Sequence, residues 1–230
     1  MIRLNKKMSE IGYCSRRKAD ELIKSKKVTV NDCIAELGQL VCDSDIIKVN
    51  GEIIKQNDEK IILAYNKPKG VICTESKVEK NLKISDLIKS FNIDKRVFTV
   101  GRLDKDTEGL IILTNDGDLA RDITNTKNDY EKEYEVKVDK DIDDEFIEKM
   151  EKGVFLTELN VRTKKCKIKK NGAKSFYITI TQGLNRQVRR MCKELGFRVT
   201  HLKRIRIIKL KLEDLKVGEY RYIEREDIGI

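Results

Sequence analysis

Apolar positions in the first thirty residues fall on a helical period. Leu4, Met8 and Ile11 stand at i, i+4 and i+7, with Gly12 as a stop. Ala19, Leu22 and Ile23 form a second stripe behind Ser15, which can cap that helix, while Arg16, Arg17, Lys18, Lys24, Lys26 and Lys27 fall mostly on its outer side. The period then changes to two. Residues 28–30 and 46–49 read as strands, and Asn50-Gly51 is a turn leading into a further strand at 52–54. The polar run 55–60 is the expected boundary between an N-terminal domain of residues 1–60 and a larger one of residues 61–230.

Beyond the boundary, residues 61–65 form an unbroken apolar run, as a buried strand does, and Lys67-Pro68-Lys69-Gly70 holds the single proline of the chain. Ser85 is placed to cap a short helix through Phe91. Strands are expected at 97–100 and 110–113, the second closed by Asn115-Asp116-Gly117. Residues 133–138 read as a strand and 143–152 as a helix with an acidic start. Phe176, Ile178 and Ile180 alternate with polar neighbours in a half-buried strand that Gly183 breaks. A helix is expected from Asn185 to Gly196, burying Val188, Met191, Cys192 and Leu195 and showing Arg186, Arg189, Arg190 and Lys193. Ile205, Ile207 and residues 209–212 close the chain as strands. Strands outnumber helices without strict alternation, which predicts an α+β fold on a largely antiparallel or mixed sheet.

Charge changes the picture from fold to partner. Against 39 acidic residues the chain has 49 lysines and arginines, a formal +10. Genomic base composition alone can produce such an excess, so its distribution matters more. Residues 1–27 carry nine basic and three acidic side chains, residues 162–211 seventeen and one, while residues 139–158 hold eight acidic and three basic. Segregated positive charge suits a polyanion. The six cysteines form no C-x-x-C pair and the one histidine, His201, has no second histidine to work with. This argues against a zinc site and a disulfide framework, and His201 reads as structural. No apolar run reaches the length of a membrane helix and no signal-like region follows Met1, so a soluble, untargeted cytoplasmic protein is expected.

Chemistry concentrates in the loop that begins Gly101-Arg102-Leu103-Asp104-Lys105-Asp106-Thr107-Glu108-Gly109. A carboxylate rooted between two apolar strands is held in place while its reactive end faces outward. Taken alone, such a turn is more often a solvated loop. Tyr134, which alternates with Val136 and Val138, reads equally as core, and Arg189 as one more phosphate contact on a basic helix.

The same loop, continued through Leu110-Ile111-Ile112-Leu113-Thr114-Asn115-Asp116-Gly117, resembles the catalytic motif of RNA pseudouridine synthases of the RsuA, RluB, RluE and RluF family. Lys67-Pro68-Lys69-Gly70 and Gly183-Leu184-Asn185-Arg186-Gln187-Val188-Arg189-Arg190-Met191 match as well, the latter most like the RluF branch. Arg3-Leu4-Asn5-Lys6, Cys14-Ser15-Arg16-Arg17-Lys18-Ala19 and Val28-Thr29-Val30-Asn31 resemble the S4 RNA-binding domain, so the likeness spans essentially the whole chain. It implies isomerisation of uridine to pseudouridine in structured RNA, 23S ribosomal RNA first and tRNA second, by a monomer that needs no cofactor and no metal. It also implies roles: Asp104 as the catalytic carboxylate, Tyr134 as the active-site ring, Arg189 as the cation that pairs with the aspartate, Arg102 as the brace for a flipped nucleotide, and Ile180 as a pocket residue. Arg3, Lys6, Arg16, Arg17, Arg186 and Arg190 become the expected RNA contacts.

Each assignment answers a physical need. The base must leave its stack to expose C1′, a guanidinium favours an ionised carboxylate, and an aromatic ring can hold the detached uracil. Two other readings stay open at this point: a non-catalytic RNA-binding or ribosome-assembly factor, and a metal-dependent phosphodiesterase built from Asp104, Asp106, Asp116 and Asp118.

Overall fold

The computed structural model describes residues 1–54, 59–73 and 82–230, so most of the expected boundary, residues 55–58, lies outside the described residues. The chain divides into two compact units. One comprises Met1–Ile61 with Asn92–Phe98 and Asn115–Gly117, the other Ile62–Phe91, Thr99–Thr114 and Asp118–Ile230.

In the first unit β1 (Ile2–Arg3) leads into α1 (Leu4–Glu10) and α2 (Arg16–Lys24), followed by β2 (Val28–Val30), β3 (Cys33–Ile34), β4 (Leu40–Val41), β5 (Ile47–Val49) and β6 (Glu52–Ile53). The second helix starts where its sequence says it should, because the Ser15 hydroxyl accepts from the Lys18 amide at 3.2 Å. The sheet runs β3-β2-β5-β6, antiparallel throughout, and β1 pairs separately with β4. Leu4, Met8, Ala19, Ile23, Val28 and Val49 are among the apolar residues buried between helices and sheet. Arg16, Arg17 and Lys18 lie on the exposed side of α2.

The second unit carries β7 (Ile62–Lys67), α3 (Ile84–Ile88), β8 (Phe98–Val100), β9 (Glu108–Thr114), α4 (Gly117–Thr124), β10 (Lys132–Val138), α5 (Asp144–Glu151), β11 (Phe155–Leu156) and β12 (Val161–Arg162). It continues with β13 (Lys167–Gly172), β14 (Ser175–Ile180), α6 (Gln187–Glu194), β15 (Val199–Ile207), β16 (Leu210–Lys211), β17 (Tyr220–Tyr222) and α7 (Arg225–Ile228). Its sheet is ordered β13-β14-β10-β15-β9-β7-β17, with β16 on β15 and β8 on β9. The β15–β9 pairing is parallel and only two residue pairs long, Lys203 with Glu108 and Arg204 with Gly109. The other ladders along this order are antiparallel, so the sheet is mixed as expected.

That short parallel seam requires Gly109. Its φ is +103°, and a Cβ there would stand 2.3 Å from the Arg204 carbonyl oxygen. Only a glycine lets the two backbones approach, and the approach places the loop before β9 beside β15.

Several elements differ from the sequence reading. The helix expected behind Ser85 instead starts at Ile84 with Lys83 in the capping position, and it ends at Ile88. Asn115-Asp116-Gly117 does not simply close a strand: it opens α4, whose Leu119 and Ile123, four apart, are buried. Among the described residues seven strands escaped notice: β1, β3, β4, β11 and β12, each only two residues long, and β13 and β17. β13 is an edge strand whose residues are almost all exposed and largely lysine, and β17 covers the far edge. The last helix over the basic segment begins at Gln187 rather than Asn185, because Arg186 takes a left-handed conformation at φ +50°. Leu195 sits at its C-terminal cap and is only half-buried.

Among the described residues, no helix is long and apolar enough to cross a membrane.

Candidate active site

A cavity of about 580 Å³ opens in the second unit, with Asp104, Arg102, Tyr134, Ile180 and Arg186 among its lining residues. The expected catalytic carboxylate, the expected ring and two of the expected contacts therefore share one space.

The loop before β9 is anchored at both ends. Leu103 is 6% exposed and Thr107 1%, so the residues either side of the turn are sunk into the unit. Within it the Thr107 amide donates to the Asp104 carbonyl at 3.1 Å, and the Gly70 amide donates to the Lys105 carbonyl at 2.7 Å. Asp104 itself keeps 31% of its side chain exposed. It is a fixed carboxylate with an open face, as a group meeting a substrate must be.

The pairing expected for Arg189 is not formed. Among the described residues the cation beside the Asp104 carboxylate is Arg186, whose Nη1 lies 3.9 Å from Oδ2 and 3.8 Å from Oδ2 of Asp106. The helix phase explains the exchange. Arg186, in its left-handed cap position, projects off the helix end toward the loop, whereas Arg189 lies a turn further in. Nη2 of Arg189 donates to the Asp106 carbonyl at 2.8 Å and reaches the Thr107 hydroxyl at 3.5 Å, while Nη1 reaches the Val199 carbonyl at 3.5 Å. Its guanidinium thus ties α6, the start of β15 and the Asp104 loop together. Burial and the neighbouring Arg186 lower its pKa, and the carboxylates of Asp106 and Asp104 act in the opposite sense.

Tyr134 is 9% exposed and faces the cavity from β10, two residues after Lys132 on the same face of the strand. Ile180, 4% exposed, is the cross-strand partner of Lys132. Arg102 is exposed at the cavity wall.

The remaining basic residues divide. Arg3, Arg16 and Arg17 are exposed on the first unit, whereas Lys6 is half-buried in an ion pair with Glu10 at 3.1 Å. Arg190, expected to face RNA, is turned to its own unit: its side chain is 19% exposed and holds Glu158, and its Nε and Nη2 donate to Asn185 at 2.9 and 3.0 Å. Glu158 supplies the reason, because it holds Arg190 as well as Lys193, the latter at 2.6 Å.

Several groups at or near the site are buried although the hydrophobic pattern does not mark them as such. Lys67 is wholly buried, donating to the Pro68 and Val71 carbonyls at 2.9 and 2.8 Å. Burial lowers its pKa, and Cys73 and the carboxylates of Asp104, Glu108 and Asp106 counteract that. Gln187 and Arg204 line the cavity and are 5% and 4% exposed, and Lys132 lines it too. Lys67 extends an apolar run that ends two residues earlier in sequence, and Gln187 falls among arginines, so neither reads as buried from pattern alone.

Among the described residues no three His, Cys, Asp or Glu side chains gather to hold a metal ion. The four-aspartate site of a phosphodiesterase is therefore not assembled.

Comparison with known proteins agrees with this geometry. Residues 61–194 match the family described as RNA pseudouridylate synthase, and residues 2–47 match the S4 domain. A dual-specificity RNA pseudouridine synthase RluF from Salmonella typhi is 45% identical over 228 residues, covering 98% of this chain and 77% of that one. The ribosomal large subunit pseudouridine synthase B of Bacillus subtilis is 38% identical over 233 residues, covering 99% and 94%. A crystal structure of a pseudouridylate synthase superposes with a TM-score of 0.72 at 28% identity, over 99% of this chain and 98% of the other. An anchored aspartate sharing a cavity with a tyrosine, in a chain that also carries an S4 domain, thus has its explanation: the chain belongs to the RNA pseudouridine synthase family.

Proposed function

We propose that Asp104, Tyr134 and Arg186 perform the uridine isomerisation, with Arg189 holding the loop that carries the aspartate. The observation that carries this reading is the Asp104 carboxylate, fixed on both sides yet open to a cavity it shares with Tyr134, with a guanidinium 3.9 Å away. The carboxylate can attack the sugar or stabilise charge there, and the guanidinium beside it helps to hold it in place. Tyr134 offers a ring on which detached uracil can stack, and its hydroxyl is a candidate for the C5 proton. Arg102, exposed at the cavity wall, is suited to the gap left when the uridine swings out of its stack. Ile180 closes the apolar side. The reaction rearranges bonds within one nucleotide, so no cofactor or metal enters it.

Residues 1–60 serve as the RNA-binding domain and residues 61–230 as the catalytic domain. The substrate is structured RNA, with large-subunit 23S ribosomal RNA first, as the name of the Bacillus subtilis relative suggests, and tRNA second, as the words dual-specificity in the Salmonella relative's name allow. The enzyme acts as a cytoplasmic monomer.

The test is tritium release from unmodified 23S ribosomal RNA labelled at C5 of uridine, with wild type and Asp104→Ala compared in EDTA. Release by the wild type alone is expected. Release by both proteins would remove Asp104 from the chemistry. Tight, salt-sensitive binding without release would return the protein to the RNA-binding factors.

A further inference from the structure

Two cations on the strand side of the cavity meet no carboxylate. Arg204, on β15, donates from Nε to the Leu110 carbonyl at 2.7 Å, while its Nη2 is enclosed and has no hydrogen-bond partner among the described residues. Lys132, on β10, donates to the Tyr130 carbonyl at 2.9 Å. No ion pair joins either to an acidic side chain among the described residues. Burial lowers the Lys132 pKa first and the charge of Arg204 lowers it further, so the two cations repel one another, with only Asp129 acting against this.

Their placement is specific. Tyr134 is the register partner of Arg204, and Ile180 that of Lys132, so all four side chains stand on one face of the sheet. Tyr134 and Ile180 are the surfaces against which the uracil would lie. A buried cation without a counter-charge, as Arg204 is, is costly, and the half-buried Lys132 beside it adds to that cost. An anionic group entering the cavity offsets that cost.

We propose that Arg204 and Lys132 hydrogen-bond the carbonyl oxygens of the extruded uracil and stabilise the negative charge that develops on it as the glycosidic bond breaks. This deepens the synthase reading and rests on it. When N1–C1′ breaks, its electron pair stays with the base and spreads over N1, C5 and the two carbonyl oxygens. C1′, left electron-poor, faces the Asp104 carboxylate. After the base turns, the pair at C5 forms the C5–C1′ bond, the C5 proton departs to a base and N1 gains a proton, so atoms and electrons balance without a co-reactant. Donors already fixed by backbone carbonyls need little reorganisation as the charge appears. They also disfavour cytosine, whose exocyclic amino group would present donors to donors.

The experiment compares wild type, Lys132→Met, Arg204→Lys and Arg204→Met in single turnover. The substrates are 23S ribosomal RNA transcripts carrying uridine or 5-fluorouridine, and the readout is loss of the N1-linked nucleoside by mass spectrometry. Fluorine makes the base more acidic and so a better leaving group, with less need of the cations. The Met variants should lose on the order of 10- to 100-fold with uridine, Arg204→Lys less, with RNA Kd within about threefold. With 5-fluorouridine the loss should shrink by at least about threefold, because less charge needs stabilising. Equal losses on both substrates, no loss, or a loss confined to Kd would overturn the inference while leaving the synthase reading intact. If Arg204→Met does not fold, Lys132→Met at the cavity wall decides alone. A wild type inert on uridine RNA overturns the synthase reading and this inference with it.

Discussion

On α2 the arginines 16 and 17 stand in solvent with no carboxylate partner among the described residues, while in the second unit Arg186, Arg189 and Arg204 are held by carboxylates or backbone carbonyls. The residue type is the same and the chemistry is opposite. A free guanidinium on a helix surface can meet a phosphate anywhere along a duplex, and its contribution is the release of counterions, which salt weakens. A guanidinium tied to carbonyls or carboxylates of its own chain has surrendered part of that freedom, and what it offers is a donor already in position when charge develops. Affinity is thus separable from turnover along the chain, and each region can be broken without the other.

The largest separation belongs to Asp104→Asn. The amide keeps the shape of the carboxylate and its place between Leu103 and Thr107, yet it cannot attack or stabilise the sugar as a carboxylate does. Turnover should fall by at least about 10⁴-fold while RNA affinity stays within severalfold, the pattern of an interaction made in the transition state. Single-turnover rates and filter-binding isotherms on one RNA preparation measure both. Retained activity near wild type would erase the contrast between the two regions.

The opposite variant, Arg16→Ala with Arg17→Ala, should leave the rate at saturating enzyme unchanged and weaken binding by roughly tenfold at moderate salt. The slope of log Kd against log salt should drop by about 1.4 to 1.8, two phosphate contacts' worth. An unchanged slope would show that α2 does not lie against RNA.

How far this division was legible in the sequence depends on what each residue's role requires. The outer face of α2 follows from helical period alone, because Ala19 and Ile23 fix which side is buried and the arginines must lie opposite. Asp104 was legible because its loop is one continuous run of chain with a long motif. The partner of Asp104 was not. Whether Arg186 or Arg189 reaches it depends on the left-handed turn at Arg186, which no periodicity announces. Arg204 was hidden for a different reason: its burial comes from the seam with Gly109, 95 positions earlier, and a basic residue in a basic segment reads as surface until that crossing is known. β13 was invisible because an exposed edge strand has no apolar face to alternate.

The smallest effect tests how firmly the pinned side is packed. Cys192 is fully buried on α6, one turn behind the arginines, and burial pushes its thiol up to about 12 from its ordinary value of 9.0. An unfolded chain ionises this thiol near its ordinary pKa while the folded chain keeps the proton, so between pH 9 and 12 the unfolded state binds fewer protons and stability must fall as pH rises. One such thiol accounts for roughly 1 kcal/mol of lost stability over the first pH unit above its ordinary pKa. Cys166, also held at about 12, adds a second share, and so the wild-type decline should be only partly relieved in Cys192→Ala. Urea midpoints at pH 8, 9 and 10 give the comparison: the variant begins less stable, having lost a buried sulfur, and its curve falls less steeply than wild type. Parallel curves would mean that the thiol ionises as easily in the folded chain, and therefore that water reaches the inner face of the helix whose arginines the active site relies on.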